Sequence, residues 1–330
     1  MKGKHLLKVS DNRIVYEMTI RRNITIIRGD SATGKTTLLE MMDACLRYGD
    51  ESGIRMECDV PVAVYLTDNR KEDWKSQLQE YEGSIVFIEE LNSFVKTKEF
   101  AKYVSGSRSY YVLITRWSLK NLPYSVDEIY KLTEKGKYPG TRKIYNSAEH
   151  YYSSHRMTPK SQTDKVVTED ADAGYEFYTA LSKDKGLVCE TAAGNSNVIA
   201  CMRNNADQNV LYIADGAAFG TFMDDCMLYM DFYTKGKCIL WLPESFEYMI
   251  LKSGILEMPD ISGMLEKTYD YADSEKFVTW EKFYTDLLIQ RTRNTVKEYS
   301  KRKLSDYYKG HHTVQLIMQM MPSEVQNIFR

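Results

Sequence analysis

The chain has 330 residues, enough for two domains, and 43% of them are hydrophobic and 27% charged, as in an ordinary globular protein with a core. Its formal net charge of −2 excludes a surface that is basic throughout, although a local basic patch is compatible with it. No apolar run reaches the roughly 18 residues that span a bilayer, and the six cysteines are scattered, so we expect a cytoplasmic protein with reduced thiols and no membrane contact.

The first informative motif lies at residues 29–36, which read GDSATGKT and fit the phosphate-binding pattern GxxxxGK[ST]. An apolar, β-rich run precedes the motif and a stretch with helical spacing follows it at 37–46, as a P-loop requires. Backbone N–H groups would hold a polyphosphate, Lys35 would reach its β- and γ-phosphates, and Thr36 would bind Mg²⁺. The residues predicted to bind ATP here are Gly29, Asp30, Ser31, Ala32, Thr33, Gly34, Lys35, Thr36 and Thr37.

Further strands surround this loop in the sequence. Alternation of apolar and polar residues over 5–20 predicts a β-hairpin before the P-loop strand, and apolar runs at 60–66 and 84–88 predict two more strands. The run at 84–88 ends in Glu89 and Glu90, which is typical of a Walker B element. In that interpretation Glu89 helps to hold Mg²⁺ and Glu90 polarises the attacking water. A buried strand that simply exits into an acidic loop is the alternative.

Another strand is predicted at 110–115, and it ends at Arg116. A polar residue at this position commonly senses the γ-phosphate in P-loop ATPases, so Arg116 is a further candidate for nucleotide binding. A charge contact to another subunit and an ordinary surface arginine are the alternatives. A β-like stretch follows at 128–132.

The order of hairpin, P-loop, helix and acidic strand end resembles the ATPase heads of the ABC class, including those of the OLD (overcoming lysogenization defect) family, over about residues 5–135. The resemblance implies ATP and Mg²⁺ as ligands, with nucleotide held between the subunits of a homo-oligomer. No LSGGQ-like signature lies between Lys35 and Glu89. Slow hydrolysis, or ATP used mainly as a structural switch, is therefore compatible with the sequence.

The second half of the chain begins after a change in composition. Residues 136–164 are polar and rich in glycine, proline, serine and tyrosine, so we interpret them as a linker that contains a short strand at 142–145. Beyond it, apolar strands alternate with helical stretches, which predicts a parallel sheet with helices on both faces. These strands are expected at 165–168, 186–190, 210–214 and 237–242.

Acidic residues follow three of these strands, at the edge where parallel sheets bind their ligands. They are Glu169 and Asp170 after the first strand, Asp215 after the third, and Glu244 and Glu247 after the fourth. Carboxylates that converge on one sheet edge form an oxygen-rich pocket suited to Mg²⁺, the ion that organises phosphodiester chemistry. Ordinary acidic loop ends of an α/β domain are the alternative.

A glutamate after the first strand and an aspartate after the third resemble the Toprim fold of topoisomerases, primases and OLD-family nucleases, over about residues 164–252. The resemblance implies catalytic and metal-binding roles for Glu169 and Asp215, and it makes Glu247 the counterpart of a third acidic motif. The second aspartate of the Toprim DxD motif is replaced by Ala217. This replacement predicts weaker metal binding.

The tail contains a basic stretch at 291–303, which we expect on one of several amphipathic helices. A basic helix beside an acidic metal pocket could hold a nucleic-acid backbone. A solvated helix face is the alternative that we favour slightly, because it is the commoner explanation of such a run.

Together these patterns predict an α/β protein with a P-loop ATPase domain at 1–135, a linker at 136–164, a Toprim-like domain at 165–255 and a helical C-terminal extension at 256–330. The plan is similar to OLD-family proteins and to the ATPase–Toprim pairs of anti-phage systems such as PARIS. The resemblance implies ATP-dependent assembly, with nucleic-acid recognition or Mg²⁺-dependent cleavage by the second half. A nucleotide-switched sensor or binding protein with an inactive Toprim-like domain is the alternative.

The predictions name individual residues for each role. The predicted catalytic residues are Glu90, Glu89, Lys35, Glu169 and Asp215. The predicted metal ligands are Thr36, Glu89, Glu169, Asp215 and Glu247. Arg116 joins the P-loop residues as a predicted ATP contact.

Overall fold

The computed structural model describes residues 1–29, 34–66, 73–136, 144–152, 163–233 and 238–330. The chain is an α/β protein with two compact units. Unit 1 comprises Met1–Tyr152 and Thr268–Thr279, and unit 2 comprises Ser153–Lys267 and Trp280–Arg330. Among the described residues, no helix is both long enough and apolar enough to cross a membrane.

The strands follow the apolar runs of the sequence closely. In chain order they are His5–Ser10 (β1), Ile14–Ile20 (β2), Ile24–Arg28 (β3), Arg55–Glu57 (β4), Val62–Tyr65 (β5), Ile85–Ile88 (β6), Tyr110–Ile114 (β7), Ile129–Glu134 (β8), Ile144–His150 (β9), Lys165–Thr168 (β10), Val188–Thr191 (β11), Val210–Ile213 (β12) and Cys238–Trp241 (β13).

The helices connect these strands and make up most of the C-terminal part. They are Lys35–Tyr48 (α1), Trp74–Glu80 (α2), Lys98–Val104 (α3), Ala173–Lys183 (α4), Val198–Asn204 (α5), Met223–Phe232 (α6), Phe246–Lys252 (α7), Ile261–Glu266 (α8), Thr268–Tyr271 (α9), Trp280–Thr292 (α10), Asp306–Lys309 (α11), His311–Met318 (α12) and Ser323–Ile328 (α13).

Unit 1 is built on a mixed sheet of nine strands in the order β4-β1-β2-β9-β8-β3-β7-β6-β5. The five strands from β8 to β5 run parallel to one another, so their carboxyl ends lie at the same edge. The predicted hairpin is confirmed, because β1 and β2 pair antiparallel with His5 opposite Ile20. Strand β7 lies between β3 and β6, so the strand that ends near Arg116 separates the strand that leads into Gly29 from the strand that leads into Glu89.

The central strands of unit 1 are buried along their whole length, since apolar side chains cover both faces of the sheet. On one face, Leu38 and Met42 of α1 pack against Ile27 of β3. On the other face, Phe100 of α3 and Leu78 of α2 pack with the alternate side chains of the same strands. This two-sided core fixes the carboxyl edge on which the candidate site lies.

Two segments of unit 1 are not where the sequence suggests. Strand β9 lies in the stretch interpreted as a linker, and it pairs with both β2 and β8. The segment Thr268–Thr279, expected in a C-terminal extension, belongs to unit 1. There the N–H of Gly3 donates to the carbonyl of Tyr269 at 2.7 Å, and the amide of Asn23 donates to the carbonyl of Ser274 at 2.9 Å.

Unit 2 contains a fully parallel sheet in the order β11-β10-β12-β13. From β10 the chain passes through α4 to β11 on one side, and it then returns to β12 on the other side of β10. The connections that follow β10 and β12 therefore diverge and leave a crevice at the carboxyl ends of these two strands. Sheets of this kind bind their ligands at such a point.

The basic stretch at 291–303 is not a continuous helix, which corrects the expectation from the sequence. Helix α10 ends at Thr292, and Asn294 adopts a left-handed backbone conformation with φ of 59°. The Oγ1 of Thr292 donates to the carbonyl of Leu288 at 2.7 Å and accepts the N–H of Tyr299 at 2.9 Å. These two hydrogen bonds reverse the direction of the chain after α10, so the basic residues do not lie along one helix face.

Candidate functional site

The first candidate site lies at the carboxyl edge of the parallel strands in unit 1. Strand β3 leads into Gly29, β6 into Glu89 and β7 towards Arg116. Between them is a cavity of about 340 Å³. Its lining residues are Gly34, Lys35, Thr36, Thr37, Leu39, Glu89, Glu90, Leu91, Ile114 and Arg116. The described part of the predicted phosphate loop thus shares one cavity with the predicted acidic and arginine residues.

Lys35 occupies the first position of α1 and is only 7% exposed. Its Nζ donates to the backbone carbonyl of Gly29 at 2.6 Å, which closes the base of the loop. The first turn of α1 carries no acidic residue, so its N–H groups and their partial positive charge favour an anion at this end. The other predicted loop ligands, Asp30, Ser31, Ala32 and Thr33, lie outside the described residues.

Position 34 requires glycine, because of its backbone conformation and because a tyrosine lies against it. The sequence pattern does not reveal this tyrosine. The φ of Gly34 is +83°, which disfavours any residue with a side chain. The hydroxyl of Tyr16 on β2 donates to the carbonyl of Gly34 at 3.0 Å, and a Cβ at Gly34 would lie 2.7 Å from that hydroxyl oxygen. Burial raises the pKa of Tyr16, so the phenol remains a donor at neutral pH. Tyr16 therefore positions the entry to α1.

Glu90 and Arg116 form an ion pair at the mouth of the cavity, with 3.1 Å between Arg116 Nε and Glu90 Oε1. The arginine side chain is 51% exposed, and ion pairs in such solvated settings contribute only about 0–1 kcal/mol. A phosphate can therefore replace the carboxylate as the partner of Arg116 at little cost. Backbone hydrogen bonds stabilise the turn at Glu89. Its N–H donates to the carbonyl of Tyr65, and its carbonyl accepts a hydrogen bond from the side-chain amide of Asn92.

The second candidate site lies in unit 2, at the crevice between β10 and β12. Glu169 and Asp170 follow β10, and Asp215 follows β12 after one intervening residue. The N–H of Phe246, at the start of α7, donates to Asp215 Oδ1 at 3.2 Å. The next residue, Glu247, is 1% exposed and influences Asp215 electrostatically. The structure thus brings Glu169, Asp215 and Glu247 to one edge.

Burial makes the acids of unit 2 hard to ionise. Burial, reinforced by the neighbouring charges of Asp170 and Glu281, raises the pKa of Glu169 to about 7. Burial likewise raises the pKa of Asp170 to about 6. The pKa of Asp215 is also well above its ordinary value, again mainly because of burial and then because of Glu281 and Glu247. The site therefore retains protons that exposed carboxylates would lose.

Two residues of the basic stretch at 291–303 complete the site, in a role that the sequence did not indicate. The hydroxyl of Tyr299 donates to Glu247 Oε1 at 2.8 Å, while Glu247 Oε2 is buried without a hydrogen-bond partner. The ammonium of Lys301 lies 3.5 Å from Glu247 Oε1 and is hydrogen-bonded to Glu281. Burial alone would lower the pKa of Lys301, but Glu247 and Glu281 outweigh it and raise the pKa. Lys301 is therefore charged.

No family model, curated protein or solved structure matches this chain. The resemblance to ABC-class ATPases and Toprim domains therefore rests on the motifs quoted above. Function is inferred below from the geometry and charge of the two sites.

The acids of unit 2 do not fit a divalent ion as they are arranged. Among the described residues, no group of three or more His, Cys, Asp or Glu side chains is placed so that it could hold a metal ion. Ala217 is buried at 2% exposure and supplies no second carboxylate beside Asp215. Positive charge comes from Lys301 instead. In unit 1, by contrast, Thr36 and Glu89 line the cavity and have the oxygen chemistry to join the shell of a nucleotide-bound Mg²⁺.

Two other basic residues of the C-terminal stretch also have partners within unit 2. Arg291 forms an ion pair with Asp260 at 2.7 Å, and the Nζ of Lys297 donates to the carbonyl of Ile255 at 2.9 Å. Three cations of the stretch, Arg291, Lys297 and Lys301, therefore already have partners in unit 2, whereas Arg293, Arg302 and Lys303 are exposed.

Proposed function

We propose that unit 1 binds and hydrolyses a nucleoside triphosphate, and that the nucleotide state controls a Toprim-like unit 2. The observation that carries the proposal is the shared cavity of Lys35, Thr36, Glu89, Glu90 and Arg116. A lysine and a helix N-terminus suit the phosphates, whereas a carboxylate pair suits the metal ion and the attacking water. Such a set, on the carboxyl edge of a parallel sheet, is suited to phosphoryl transfer to water.

Each residue has a defined task in this proposal. Lys35 would exchange its 2.6 Å bond to the Gly29 carbonyl for a phosphate oxygen. Arg116 would leave Glu90 and neutralise charge that develops on the γ-phosphate. Glu90, once released, would accept a hydrogen bond from the attacking water through the same Oε1. Mg²⁺, held by Thr36 and Glu89 when nucleotide is bound, would supply charge neutralisation at the phosphates.

We expect Glu90→Gln to retain nucleotide binding but to lose hydrolysis by about 100-fold or more, because a glutamine cannot serve as a base. The measurement is steady-state phosphate release beside a nucleotide-binding titration on the same preparation. Glu82→Gln, which changes an exposed carboxylate paired with Arg108, is the matched control. Unchanged hydrolysis in Glu90→Gln would remove this residue from the mechanism.

For unit 2 we propose a nucleotide-switched binding or sensing role without metal-dependent cleavage. The support is the ion pairing of Lys301 with Glu247 and Glu281, together with the alanine at position 217. A Mg²⁺-dependent nuclease, which the resemblance to anti-phage ATPase–Toprim proteins implies, is the second candidate. The observation that favours it is the position of Glu169 and Asp215 at the crevice of the parallel sheet.

Plasmid cleavage in Mg²⁺ or Mn²⁺ separates these two candidates. We expect wild type and Glu169→Ala to leave the plasmid equally intact, because the buried acids lack a metal-holding arrangement. Cleavage by wild type that is lost in Glu169→Ala would instead establish the nuclease. Either result leaves the nucleotide proposal for unit 1 in place.

A further inference from the structure

We propose that Lys301 is the resident cation of the unit 2 site, occupying with its ammonium group the place that a divalent ion takes in a metal-dependent site. The inference extends the proposal that unit 2 does not cleave with metal, but it depends only on contacts within unit 2. Its test measures metal binding rather than cleavage, so the two proposals can fail separately.

The first observation is the set of charges around the ammonium. Lys301 pairs with Glu247 and with Glu281, which lies in the first turn of α10. Its charge also acts on Glu169, Asp170 and Asp215, the acids of the β10–β12 crevice. A single lysine therefore faces carboxyl groups from α7, α10 and the ends of two strands. Acids from several elements therefore converge on one ammonium, and while that ammonium is present their side chains are not placed to hold a metal ion.

The second observation is that the backbone holds Lys301 in this position. The carbonyl of Lys301 accepts the N–H of Ala173, the first residue of α4, at 2.8 Å. Two residues earlier, Tyr299 donates to Glu247, and three residues later the N–H of Leu304 donates to Glu176 at 3.3 Å. The segment on both sides of the lysine is thus anchored to unit 2. The backbone is therefore fixed around Lys301, and its ammonium, on a side chain that is 31% exposed, pairs with Glu247 and Glu281.

The third observation is that two buried oxygens of this cluster have no hydrogen-bond partner. Glu247 is 1% exposed, yet its Oε2 has no hydrogen-bond partner. The hydroxyl of Tyr178, a residue that is 2% exposed, also has no hydrogen-bond partner and lies in the electrostatic field of Asp215 and Asp170. An orphaned carboxylate oxygen is a free ligand position. Removal of the lysine charge would therefore leave an oxygen-rich pocket with open positions and no cation.

The inference predicts that Lys301→Met converts unit 2 into a divalent-cation site, since methionine keeps the length of the side chain but not its charge. In the nucleotide-free full chain, we expect Mn²⁺ to raise the melting temperature of Lys301→Met by about 5 °C at 100 times its Kd. Wild type should show no such rise. Lys301→Arg, which keeps the charge, should behave like wild type, and so should Lys303→Met, whose lysine is exposed two residues away.

Calorimetric titration of nucleotide-free wild type with Mn²⁺ is a second test, and it does not depend on whether the Lys301→Met variant folds. Absence of binding is the expected result. Mn²⁺ binding by wild type that disappears in Asp215→Asn would overturn the proposal, because the acids would then hold a metal despite Lys301. A folded Lys301→Met that shows no response to Mn²⁺ would overturn it as well. A Lys301→Met chain that folds only when Mn²⁺ is added would support it strongly.

Discussion

Lys35→Ala is expected to weaken nucleotide binding by about 100-fold, because loss of a charge-assisted contact to a phosphate costs about 3 kcal/mol. The side chain is 7% exposed and already engaged at the base of the loop, so its ammonium is positioned before any ligand arrives. A titration with a fluorescent nucleotide in the presence of Mg²⁺ measures the effect. The readout is affinity, which keeps it separate from the hydrolysis assay on Glu90→Gln.

Lys98→Ala is the matched control for this variant, since Lys98 is an exposed lysine at the start of α3 in the same unit. It should bind nucleotide like wild type. Equal affinity in Lys35→Ala and wild type would refute the assignment of residues 29–36 as a phosphate loop. Circular dichroism of both variants checks that the fold is retained.

Glu169→Gln should change the way in which stability depends on pH. The pKa of Glu169 is about 7 in the folded chain, against an ordinary value of 4.5. The folded state thus binds a proton more tightly than the unfolded chain, which adds stability below pH 4.5 that is lost as the pH rises through 7. Glutamine cannot ionise and avoids this loss. Relative to wild type, the variant should gain about 3 kcal/mol in free energy of unfolding between pH 4.5 and pH 8.

Urea unfolding at several pH values between 4.5 and 8 measures this difference. Glu257→Gln, at an exposed position of the same unit, should follow the wild-type profile throughout. Parallel profiles for Glu169→Gln and wild type would show that the carboxyl group ionises as easily in the folded chain as in the unfolded one. That result would contradict the conclusion that burial raises the pKa of Glu169.

The strands that carry both sites could be predicted from sequence because each is a short apolar run between turn residues. Once the strands were known, the parallel arrangement placed Glu89 and Arg116 at one edge, and Glu169 and Asp215 at another, since carboxyl ends of parallel strands meet. Strand β9 was predicted only in part, as a short strand at 142–145 within a linker, for a physical reason. Its side chains are only partly buried and mostly polar or small, so the run at 144–150 shows no apolar alternation.

The charge partners could not be predicted, because they depend on contacts between distant parts of the chain. Lys301 belongs to a basic run that reads equally well as a solvated face, and only the fold brings it to Glu247 and Glu281. Tyr16 is likewise an ordinary strand residue until β2 passes beside Gly34. The spacing of residues along the sequence does not indicate such long-range contacts.

Unit 1 is formed by two segments that are far apart in the sequence, and this affects when it can fold during synthesis on the ribosome. Its last segment, Thr268–Thr279, follows the sheet of unit 2 in the sequence, yet it binds the backbone of Gly3 and the side chain of Asn23. Domains generally fold in order as they emerge during synthesis. Here unit 1 can be completed only after residue 279 has been translated. Nucleotide-binding competence is thus expected to arise late in biosynthesis, after the sheet of unit 2 has been synthesised.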